Sequence, residues 1–195
     1  MGAAAAVAAL VLVRSESEEV GGPLRSDSVP QGSGFPVDAH HALTYAGIGL
    51  RNAGGAPATL EQVTLVDPEP GVRLVGALAA EQPEGARIFA YHDFPPDRDQ
   101  YAVRIVRYPE LRPLAGFVVP PRPAGNRARA TETQLYLGLE STEPSGRVTL
   151  ESFRVHYRVG DRRYVLVVPQ SVALCTPRAE YVDTKPCDTF LPGEG

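Results

Sequence analysis

The sequence predicts an all-β fold, an antiparallel sandwich of two sheets, on three observations. The first is Ser152–Val168, SFRVHYRVGDRRYVLVV, where Gly160-Asp161 separates two runs of β-branched and aromatic residues. Glycine at the first of two central positions suits a type II′ hairpin turn. The second is the clean alternation in Thr133–Glu140, which puts Leu135, Leu137 and Leu139 on one side. The third is the scatter of 19 prolines among β-like runs, which favours short strands and long connections over helices.

The hairpin sets its own register. Pairing outward from the turn puts Tyr157 opposite Tyr164, Val155 opposite Leu166 and Phe153 opposite Val168, all on one buried face. The other face carries Arg158 opposite Arg163, His156 opposite Val165 and Arg154 opposite Val167. Upstream, Val148 and Leu150 are out of phase with Phe153, so one extra residue near Glu151-Ser152 predicts a bulge.

The other elements follow in order from about Ala42. In LTYAGIGLRN, Ala46, Ile48 and Leu50 are expected to share a face, with Gly47 and Gly49 suggesting close approach of a neighbouring strand. A turn at Ala53–Pro57 leads into Thr59–Asp67, where Leu60 is out of phase with Val63 and Leu65; a bulge at Glu61-Gln62 resolves the mismatch. Val72–Leu78 supplies the next strand, after Pro68-Glu69-Pro70-Gly71. Ala86–Tyr91 and Tyr101–Val106 read as strands interrupted by Phe94-Pro95-Pro96-Asp97. Leu111–Pro123 reads as an extended crossover, giving seven or eight strands in all.

Both ends suit a core poorly. Met1–Val13, MGAAAAVAALVLV, is an apolar helix of about 18 Å, short of the ~30 Å hydrocarbon core. It resembles a signal-peptide apolar region but lacks a basic segment before it and a cleavage site after it. The expectation is that the true start lies upstream and that this stretch is the outer end of a single-pass anchor or a signal remnant. Residues 14–41, rich in Ser, Glu, Gly and Pro, then form a flexible spacer to a domain over residues 42–174. Residues 175–195 form a tail in which Cys175 and Cys187 are expected to close a disulfide worth about 3 kcal/mol in an oxidising compartment.

Lys185 is the only lysine, which reads as the coding bias of a high-GC bacterial genome rather than as a nucleic-acid footprint. The net charge of −4 supplies no field for a polyanion, so nucleic-acid binding is not expected.

The pieces YAGIGLRNAGGAPATLEQVTLV, LRPLAGFVVPP and ESFRVHYRVGDRRY, within Tyr45 to Val168, resemble uncharacterised membrane-anchored extracytoplasmic proteins of high-GC Gram-positive bacteria. The resemblance implies an immunoglobulin-like β-sandwich and brings no catalytic residues with it.

Candidate sites are few. His40 and His41, adjacent in the chain, should point apart. His92 and Asp93, with Asp97 and Asp99, gather metal-ligating atom types in one loop but lack the glycine and distal glutamate of a calcium loop. Arg154, His156, Arg158 and Arg163, joined by Arg104 and Arg107, outline a basic sheet face for an acidic envelope protein or polymer, with His156 exposed. Like charges opposite one another need an answer, and Glu61 or Glu140 of adjacent strands is the simpler one. There is no G-x-S-x-G, no phosphate-cradling loop before a helix, and the acids Glu18-Glu19 fall in the spacer. The expected function is therefore non-enzymatic and cofactor-free: a membrane-tethered or secreted extracytoplasmic binding or accessory module, with a metal- or small-ligand-binding domain as the alternative.

Overall fold

A computed structural model describes residues 18–26, 31–83, 90–96, 109–122, 131–181 and 187. In chain order the strands are β1 (Glu19–Val20), β2 (Leu24–Ser26), β3 (Gln31–Pro36), β4 (Ala42–Asn52), β5 (Ala58–Val66), β6 (Val72–Pro83) and β7 (Ala90–Tyr91). Then come β8 (Arg112–Pro113), β9 (Val118–Val119), β10 (Thr131–Ser141), β11 (Gly146–Leu150), β12 (Ser152–Val159), β13 (Arg162–Val168) and β14 (Gln170–Thr176). One short helix follows, α1 (Arg178–Tyr181). The expected apolar helix Met1–Val13 and strand Tyr101–Val106 lie outside the described residues, as do Asp97, Asp99, Arg104 and Arg107. No helix among the described residues is long and apolar enough to cross a membrane.

The strands form three sheets, ordered β1-β13-β12-β5-β9, β2-β4-β10-β6-β8 with β7 also on β4, and β11-β14-β3. One core draws on all three, with Phe153, Val155 and Tyr157 from the first, Ile48, Leu135 and Leu137 from the second, and Val172 and Leu174 from the third. This layered all-β arrangement fits a β-sandwich.

The β12–β13 hairpin has the register its turn predicts at every pair from Phe153–Val168 to Arg158–Arg163. Gly160 turns with φ 58°, while Asp161 is not among the residues of positive φ, as a type II′ turn requires. The bulge in β5 also falls where the phase break predicts it: His156 pairs with Gln62 and Tyr157 with Leu60, leaving Glu61 unpaired in the ladder. The described part of the expected Leu111–Pro123 crossover, residues 111–122, runs between sheets, with β8 on the edge of the second sheet and β9 on the edge of the first.

Four expectations are corrected. The phase change at Glu151 is a change of sheet, not a bulge. β11 pairs with β14 in the third sheet and β12 with β13 in the first, so one ribbon turns a corner at Glu151 and Pro169. In β4, Leu135 pairs with Ile48 but Leu137 with Tyr45, so an irregularity turns Ala46 to the opposite face and Tyr45 into the main core. The close neighbours of Gly47 and Gly49 are side chains, those of Tyr45 and Glu132, rather than another strand.

The fourth correction concerns the spacer: Glu19–Val20, Leu24–Ser26 and Gln31–Pro36 are sheet strands. β1 lies parallel on β13 and β2 antiparallel on β4, so this segment straps the edges of two sheets, while β3 lies parallel on β14. The strap is held by Tyr157, whose hydroxyl accepts from the Leu24 N–H at 3.2 Å and donates to the Gly21 carbonyl. Gly22, at φ 82°, lets the backbone pass over the stacked rings of Tyr157 and Tyr164. A Ser/Gly/Pro composition looks like linker, but short edge strands need few apolar side chains because neighbouring backbone supplies the bonds.

β10 is buried on both faces. Behind the leucines, the Tyr136 hydroxyl accepts from the Gln82 side-chain amide at 3.1 Å and donates to the Gln134 side-chain Oε1 at 3.0 Å. Around them lie Ala46, Ala80 and Tyr91. Phe94 lies over Gly76 and Gly138, which face each other across β6 and β10; a methyl group at either glycine would strike the ring. The Phe-Pro-Pro interruption is thus a lid on this second face.

Candidate functional site

Where β3, the start of β4, β7 and α1 meet, the described residues enclose a cleft of about 70 Å³. Phe35, Val37, Leu43, Ala90 and Tyr91 give it apolar walls, and Asp38, His41, His92 and Arg178 a polar rim. Leu43 and Val37 belong to the main core and Tyr91 to the second cluster, so the floor is part of the rigid sheet system.

The rim is stitched by hydrogen bonds. The His41 Nε2 lies 2.9 Å from both the His92 carbonyl and the Asp93 carboxylate, so Nε2 carries the proton. Thr44 donates its hydroxyl to the Asp93 carbonyl, fixing the same loop to β4. The Arg178 backbone N–H donates to Asp38 at 3.3 Å, and its guanidinium lies 3.2 Å from the His92 Nε2. A guanidinium has donors only, so His92 accepts there and is the neutral tautomer protonated at Nδ1. The disulfide Cys175–Cys187 holds this end of the molecule closed; the Cys187 backbone passes so close to Gly34 of β3 that no side chain fits there.

Of the expected metal loop, His92 and Asp93 sit at this rim, but each is turned to a protein partner. Among the described residues no group of three His, Cys, Asp or Glu side chains could hold a metal ion. His40 and His41 do point apart, through a tight turn in which His40 takes φ 61°. His40 Nδ1 lies 3.5 Å from Glu140, whose other neighbour is Arg73 at 4.0 Å.

The basic face is largely answered from within. Glu61, displaced from the ladder by its bulge, approaches Arg158 at 3.9 Å and Arg163 at 3.5 Å. His156 is not exposed as expected: its side chain is only 12% accessible, with Nδ1 at 2.9 Å from Glu18 and Nε2 at 3.1 Å from Thr64. Arg154 stays exposed.

Sequence reasoning missed Asp38, Arg178 and the cleft itself, because its parts come from three stretches far apart in the chain. The one local cue is the position of Arg178 just beyond Cys175, where a disulfide holds the backbone still. No protein family matches the chain, and no curated protein matches it.

Proposed function

We propose that this protein is a non-enzymatic extracytoplasmic binding module, an immunoglobulin-like sandwich tethered to the membrane by its apolar amino-terminal segment and serving a cell-envelope assembly. The observation that carries this reading is the buried disulfide Cys175–Cys187, the chain's only two cysteines, a bond that persists in oxidising compartments. The apolar run of Met1–Val13 and the resemblance in Tyr45–Val168 support it. So does the lack of a nucleophile motif in the sequence.

Thiol labelling of intact cells tests it. A membrane-impermeant maleimide should label the chain only after reduction and denaturation, and the chain should fractionate with membranes. Free sulfurs in the native cell, or a chain in the cytosolic fraction, would overturn the reading.

The cleft favours a second reading as well, that of a small-ligand-binding domain. Apolar walls with a few convergent polar groups are the usual make-up of such sites.

A further inference from the structure

Resting on the second of those readings, we infer that the cleft takes a short-chain aliphatic carboxylate, with its carboxylate on Arg178 and its tail between Leu43 and Tyr91. Two observations carry this. The first is charge. Arg178 is partly exposed at the cleft rim, and no carboxylate among the described residues pairs with its guanidinium. Among the described contacts Asp38 meets Arg178 only through the Arg178 backbone N–H, and Asp93 is bonded to His41. Among the described residues the guanidinium's side-chain partner is the neutral His92, which uses one donor of the five and leaves the planar fork for a bidentate anion.

The second is size and polarity. An apolar cavity of about 150 Å³ accommodates benzene. The 70 Å³ here is about half that, room for a tail of about three carbons. Leu43 and Tyr91 would bury such a tail, and the short arm of Ala90 leaves the space open. His92 holds the guanidinium in place before the ligand arrives, which lowers the entropy cost of binding.

The test is an NMR titration of the full chain in mild detergent with butyrate, butyramide and acetate. Butyrate should move the Arg178, His92 and Leu43 resonances saturably, butyramide should not, and acetate should bind more weakly for want of a tail. Arg178→Gln should weaken butyrate by about tenfold or more, as loss of charge-assisted hydrogen bonds implies; this side chain lies at the surface and the Asp38 bond is to backbone, so the fold stands. Butyramide binding as tightly as butyrate, Arg178→Gln titrating like the parent, or no saturable response to butyrate would each overturn the inference. Acetate as tight as butyrate would overturn the seating of the tail. A disulfide-bonded, membrane-bound chain that ignores butyrate would sink this inference and leave the extracytoplasmic reading standing.

Discussion

Tyr45 and Tyr157 are both fully buried, yet their hydroxyls have opposite fates. Tyr45 stacks on Phe153 with 5.7 Å between ring centroids, and its hydroxyl finds no hydrogen-bond partner among the described residues. Burial raises its pKa well above the ordinary 10.0. Tyr157 is raised too, mainly by burial, but its hydroxyl joins the strap to the first sheet. The same substitution should therefore act in opposite directions. Tyr45→Phe removes an unsatisfied polar atom and should raise stability by about 1 kcal/mol, whereas Tyr157→Phe orphans Leu24 N–H and Gly21 C=O and should cost about 1–3 kcal/mol in urea unfolding. In the unfolded chain Tyr45 ionises from about pH 10 upward while the folded protein keeps its proton, so the folded state binds more protons there and stability falls as pH rises. Tyr45→Phe should flatten that alkaline decline, and a steeper decline in the variant would contradict the assignment.

At the scale of elements, the bulge in β5 does electrostatic as well as geometric service. A regular strand would hold Glu61 in the ladder; displaced from it, the carboxylate reaches both arginines that the hairpin places opposite each other. Glu61→Gln should cost about 0.5–1 kcal/mol, since both pairs are partly solvated and an Arg–Arg cross-strand pair is left behind. The difference from the parent should shrink in high salt, and a salt-independent loss in chemical unfolding would mean that packing, not charge, is at stake. Both the hairpin register and this bulge are legible in the sequence, because each depends on a period-two pattern within a few residues of a glycine or a phase break. The corner at Glu151 shows the limit: a phase break looks the same whether a strand bulges or changes sheet.

For the molecule as a whole, the strap closes two sheet edges at once. β1 covers β13 and β2 covers β4, with Pro23 accepting from the Ala53 N–H at 3.0 Å between them. Gly22→Val would place a side chain against the hydroxyl of Tyr157 and the ring of Tyr164, in a backbone conformation that β-branched residues avoid. It should release the strap and expose two edges, seen as faster amide exchange in β13 and concentration-dependent association in size-exclusion chromatography. A variant that exchanges and elutes like the parent would show that the strap does not guard the edges.

What the amino-acid order determined by itself is local: an all-β chain, a hairpin with its register, a bulge with its glutamate, and a cysteine pair able to close on itself. These rest on alternation and turn chemistry, whose range is a few residues. Only tertiary structure decided that Glu18 meets His156, that a linker-like segment completes two sheets, that β10 is buried on both faces, and that Arg178 stands over a cleft beside His92. Each of these joins residues with dozens of positions between them. Which surfaces meet is set by how the sheets stack around one shared core, and no short-range pattern records that.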